Sequence, residues 1–219
     1  MEKMATTARK QSATASRRRL SADDRRRVLV EATISVLAEH GPGDASLRLV
    51  CKKAGVSPGL VSHFFDGWND LLRAAYQFLA DRYLDLMTAA VTAQDITPTR
   101  RIAAVLETYF SDAWVSEETG NAYVSLWALS RASTDLRSPM TVHYGEMCTL
   151  LAHAIHEVDR TEMPWDDAMD RADAFLIFLN GVWMEMILNP DNLHRDRAMS
   201  LGRQWVGAFL GITDWEDEG

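Results

Sequence analysis

Gly55-Val56-Ser57-Pro58-Gly59 satisfies G-x-S-x-G, the spacing at which a serine hydrolase raises its nucleophile on a strained strand-to-helix turn. The stretch EHGPGD at residues 39–44 loosely matches the companion oxyanion loop. That chemistry needs the backbone N–H of the residue after the serine to hold the developing oxyanion, and here that residue is Pro58, which has none. It also needs a buried strand before the serine. Instead Leu47, Val50, Cys51 and Ala54 recur at i, i+3, i+4 and i+7, the stripe of a helix. No catalytic residue is assigned, and a helical hydrolase using Ser57 stands as the disfavoured alternative.

The same residues suit a helix, a turn and a second helix. Ser46 and Ser57 are placed to N-cap the two helices, Gly55 can supply the positive φ between them, and Pro58 falls at N1, where its missing N–H costs nothing. In a helix-turn-helix the N-terminal end of the second helix enters the major groove of DNA. Gly59 permits close approach there, Ser62 and His63 can reach base edges, and Arg48 on the first helix carries a fork suited to guanine. The candidate DNA-contacting set is therefore Ser46, Arg48, Ser57, Pro58, Gly59, Ser62, His63 and Phe64. Arg17 to Arg19 and Arg25 to Arg27 add cations just upstream.

Charge is divided along the chain in the same sense. Through Ala80 there are 13 Lys and Arg against 8 Asp and Glu; the remainder holds 10 against 23, for a total of −8. A polyanion partner is plausible only at the front. Two cysteines, Cys51 and Cys148, have no metal-ligand or redox spacing and fit a reducing compartment. Neither a secretory leader nor a membrane span is visible, so a cytoplasmic protein without a membrane partner is expected.

Helical periodicity recurs throughout, whereas sustained alternation and hairpin turns do not. A first stripe, Val28, Leu29, Ala32, Val36 and Leu37, ends near Gly41-Pro42-Gly43. A long helix starts near Trp68 and passes Leu86. Further helices are expected near residues 100–115, 121–134, 139–158, 166–189 and 195–211, with breaks at Gly120-Asn121, Ser138-Pro139, Met163-Pro164 and Asn189-Pro190. The fold class is all-α, with an N-terminal three-helix head joined to a C-terminal helical body. Boundaries are a flexible basic arm at 1–20, a helix-turn-helix domain at 21–68, an effector-binding and dimerisation domain at 69–213, and an acidic tail at 214–219.

The segment ADAFLIFLNGVWMEMIL is apolar over more than one stripe, which implies burial on two sides. In the last helix Leu201, Trp205, Ala208 and Phe209 share a face, and Gly202 and Gly207 could admit another helix. Aromatic residues and carboxylates crowd the body, a composition suited to an organic cation. His153, His156 and Glu157 share a face but lack a firmly placed further ligand, so no metal and no cofactor is expected.

The segments ADDRRRVLVEATISVLAEHG, DASLRLVCKKAGVSPGLVSHFF and NDLLRAAYQFL, in this order and spacing, resemble the DNA-binding head of the TetR family of transcriptional regulators. The resemblance implies a homodimeric repressor that binds double-stranded operator DNA and is controlled by a small effector. It places the dimer contact on the last two helices, here Phe175, Phe178, Leu201, Trp205 and Phe209. Trp68 stands where many members carry a phosphate-contacting lysine. Within the family, GLVSHFF, VSLWALSRAS and FLNGVWMEM are similar to the choline-responsive repressors of betaine synthesis. That similarity implies a pocket at Trp127 and Trp183; the aromatic crowding of the body adds Tyr109 and Trp114, and Glu185, two positions beyond Trp183, is the candidate carboxylate for a quaternary ammonium. Glu185 also departs from the arginine common in relatives, which leaves open a neutral or anionic effector and an unrelated pathway.

Overall fold

Local signals start and stop the head helices in the computed structural model, which describes residues 21–158 and 163–215. Helix α1 (Ala22–Asp44) opens with a reciprocal capping box: Asp24 N–H donates to Ser21 Oγ at 3.0 Å, and Ser21 N–H donates to Asp24 Oδ2 at 3.2 Å. Gly41, at φ 69°, interrupts it where the HGPG stretch was expected to, although one more turn follows. Helix α2 (Leu47–Ala54) ends on Gly55 in the left-handed region, and α3 (Pro58–Phe64) begins with proline at N1. Both serines occupy the N-cap positions, but neither hydroxyl makes the expected capping bond.

The body comprises α4 (Trp68–Thr92), α5 (Pro98–Tyr109), α6 (Asp112–Val115), α7 (Glu117–Ser130), α8 (Thr134–Val158), α9 (Trp165–Leu188) and α10 (Arg195–Leu210). No strand occurs among the described residues. The breaks near Pro164 and Pro190 are present. Two others are not. Gly120 lies inside α7, where α7 and α9 approach so closely that an added Cβ would collide with the Ile187 side chain. Pro139 lies inside α8, giving up the helical bond that its missing N–H would have made to the Asp135 carbonyl.

The head does not hang from α4 alone. Helix α1 packs against α7 of the body more extensively than any other pair of described helices. Within that contact the buried Ser125 hydroxyl donates to the Leu37 carbonyl at 3.1 Å. A single apolar core runs from Leu29 and Leu37 through Leu71 and Met87 to Leu179 and Val206. The basic arm at 1–20 and residues 216–219 of the acidic tail lie outside the described residues.

Candidate DNA-reading head and effector cavity

In the head, Val61 is completely buried and Val56 packs on the core, which turns the other side of α3 outward. Pro58, Gly59, Ser62 and His63 are exposed along that side, as is Arg48 on α2. Ser62 Oγ bonds back to the Pro58 carbonyl at 3.3 Å, and Ser57 is exposed at the tip. Ser46 is half-buried. Phe64 is also half-buried and packs on the core, where it holds α3. Its carbonyl accepts from Arg26 Nη1 at 2.9 Å, and the Arg26 guanidinium lies 4.2 Å above the Phe65 ring. Arg26 is thus committed to seating the end of α3. Trp68, in the position expected for a phosphate-binding lysine, is half-buried against the core.

The body holds a cavity of about 300 Å³, and its walls are mostly rings. Trp114, Trp127 and Trp183 meet there, with Trp183 5.6 Å from Trp127 and 6.1 Å from Trp114 between ring centroids. Tyr83 stacks on Trp114 at 4.0 Å, and Tyr123 bridges Trp127 and Tyr76. Tyr109, Tyr144, His143, Asn180, Leu176, Met140 and Met147 complete the lining. Four of the five residues expected from sequence are therefore together. Glu185 is not among them: two positions along a helix rotate a side chain by about 200°, and its carboxylate instead accepts from Asn189 at 2.9 Å.

Polar wall groups are largely paired and uncharged. Tyr109 donates to Asn180 Oδ1 at 2.7 Å, Trp183 Nε1 to the Trp114 carbonyl at 3.4 Å, and Tyr144 to Asp173 at 2.6 Å. Burial pushes the hydroxyls of Tyr76, Tyr83, Tyr109 and Tyr123 up, Tyr76 to about 12. Burial pushes His143 down, favouring the neutral ring, against the pull of Glu146, whose Oε2 is 3.7 Å from Nδ1. No carboxylate is in the wall, but Asp173 and Glu146 stand directly behind Tyr144 and His143. Sequence reading missed Tyr76, Tyr83 and His143. The two tyrosines are seven residues apart on α4 and so share a face, a signal that was available.

On α9 and α10, Phe178, Trp205 and Phe209 form a continuous stack, with centroids 4.2 and 4.7 Å apart. Leu201 is half-buried nearby on α10. Phe175 is completely buried within the chain and cannot face a partner. Gly202 and Gly207 also serve the chain itself: a Cβ at Gly202 would meet Leu106 at 3.1 Å, and one at Gly207 the Ile212 carbonyl at 2.9 Å.

A family model for the C-terminal domain of BetI-type transcriptional repressors matches residues 98–211, and one for bacterial regulatory proteins of the tetR family matches residues 29–75. The chain belongs to the TetR family. The HTH-type transcriptional regulator BetI of Pectobacterium carotovorum is 27% identical over 190 residues, covering 84% of this chain and 93% of its own length. BetI of Escherichia coli is 28% identical over 187 residues, covering 84% and 93%. A solved transcriptional regulator of Pseudomonas aeruginosa matches with a TM-score of 0.79 at 27% identity, covering 89% of this chain and 94% of that one. The SmeT–triclosan complex, at 17% identity and a TM-score of 0.70 over 84% and 90%, shares the fold. This TetR-family chain is a BetI-type transcriptional repressor, and its relatives are regulators rather than enzymes. As a TetR regulator it binds operator DNA and a small effector and acts as a dimer. No described helix is long and apolar enough to cross a membrane.

Proposed function

We propose that this repressor binds a two-fold symmetric operator through exposed residues of α2 and α3, and leaves it when a quaternary ammonium such as choline fills the aromatic cavity. The observation that carries this reading is the cavity itself. Eight Tyr and Trp rings line a space at the lower end of the about 300–1,000 Å³ that ligand pockets span. A trimethylammonium head has no N–H to donate, so ring faces are what can hold it, at about 0.5–2 kcal/mol per contact. Asp173 and Glu146 behind the wall favour the same sign of charge.

DNA contact requires two copies. The Phe178–Trp205–Phe209 stack is the candidate face for pairing them, with α3 helices about 34–36 Å apart to meet successive major grooves. Two routes connect the cavity to the head and support release. Helix α4 carries Tyr76 and Tyr83 into the cavity and begins just after α3; α7 carries Tyr123 and Trp127 into it and grips α1 through Ser125. A ligand shifts the head only insofar as it binds the released arrangement more tightly.

The test is calorimetry and operator titration with choline and with its uncharged tert-butyl isostere. Choline should bind and weaken operator affinity while the isostere binds far less. Heat and release from a neutral or anionic compound, with none from choline, would reject the cation and leave the repressor in place.

A further inference from the structure

His143 occupies a position that cage packing alone does not explain. It is 8% exposed and lines the cavity, and its Nε2 is buried without a hydrogen-bond partner. Other polar wall groups are engaged: the Tyr109 hydroxyl with Asn180, the Tyr144 hydroxyl with Asp173. The Tyr83 hydroxyl also lacks a partner of hydrogen-bond geometry, but it can donate or accept and so does not select between them.

The imidazole has a defined sense. The edge-on Tyr76 ring, 6.2 Å away at 90°, sets its plane. Glu146 on α8 faces Nδ1, and Asp81 on α4 adds a second negative field. Glu146, with its Oε2 3.7 Å from Nδ1, favours the proton there, leaving Nε2 as an acceptor. On its other side His143 borders an outer groove with Arg73, Gln77, Asp135 and Glu146, so the ring forms the partition between groove and cage.

We propose that His143 Nε2 reads the second polar group of the effector, accepting a hydrogen bond from the hydroxyl of a hydroxyalkyl-trimethylammonium and discriminating against the corresponding carboxylate. This rests on the cation reading of the cavity. A hydroxyl can donate to the bare nitrogen. A carboxylate meets a lone pair with two acidic side chains behind it, and has no proton to offer.

The test uses the full chain and three probes: choline, ethyltrimethylammonium, which lacks only the hydroxyl, and trimethylglycine. Calorimetry on the parent should rank choline about fivefold tighter than ethyltrimethylammonium, the worth of one net hydrogen bond, and trimethylglycine weakest. In His143→Leu, choline should fall to or below ethyltrimethylammonium, whose own affinity should hold. His143→Gln, which keeps an acceptor, should recover part of the preference and covers the case of a Leu variant that fails to fold. Equal losses for choline and ethyltrimethylammonium would make His143 a packing residue, and a parent preference for trimethylglycine would make Nε2 a donor; either overturns the proposal while the cation cage stands. No binding by any of the three removes the cage reading, and this proposal with it.

Discussion

Replacing Ser125 with alanine removes one oxygen from the contact between head and body. Ser125 is 3% exposed, its hydroxyl donates to the Leu37 carbonyl at 3.1 Å, and no other interhelical hydrogen bond links α1 to α7 among the described residues. A buried neutral hydrogen bond contributes about 1 kcal/mol net, so urea unfolding should show a loss of that size with an unchanged slope. If α7 carries the cavity's state to the head, part of this energy belongs to the coupling between effector and operator. One kilocalorie corresponds to about a fivefold change in the ratio of operator affinities with and without effector. Fluorescence anisotropy on labelled operator, with and without saturating choline, reads that ratio directly. Ser130→Ala is the control, because its hydroxyl bonds only to the Trp127 carbonyl of its own helix. A Ser125→Ala protein that loses stability but keeps the parent ratio would show that α7 merely supports the head and that α4 alone transmits the signal.

Arg48→Ala should weaken specific operator binding by about 1–3 kcal/mol and relax preference at one position per half-site, read by competition among operator variants. Trp205→Glu places a charge inside the aromatic stack; sedimentation should show a weakened dimer, and operator binding should fall with it. Stability should also decline at high pH. Burial raises Tyr76 from 10.0 to about 12, so the unfolded chain gives up this proton first; the contribution is whole below pH 10 and is lost as pH rises through 12. Tyr76→Phe should flatten that part of a denaturation profile. At the acid end His143, lowered by burial, adds stability above its ordinary 6.5 that is lost as pH falls below it, and His143→Gln should remove this component.

What could be read from sequence follows the range of the forces involved. The turn at Gly55 to Pro58 was legible because the left-handed glycine and the N1 proline act within four residues. Trp127 and Trp183 came from resemblance and Trp114 from the crowding of aromatics in the body, since no local pattern brings α6, α7 and α9 together. Gly120 was misread as a break because glycine serves a turn and a close helix crossing equally well, and the Ile187 side chain that decides between them is 67 positions away. Glu185 was placed by proximity in sequence to Trp183, while helical rotation sends it to Asn189. Phe175 looked like a subunit contact because a helix buried on two sides does not reveal which side is internal.

The docking of α1 on α7 bears on how such regulators could be recombined. In sequence, the head ends before α4, and residues 21–68 look like a cassette that could be cut out and attached to another body. In space the inward side of α1 is part of the body's own core. A graft joined at residue 68 would leave Leu37 and its neighbours facing a foreign α7 that lacks the Ser125 donor. Functional hybrids should therefore be found where α1 and α7 are inherited as a pair, and an isolated head should expose an apolar flank and self-associate.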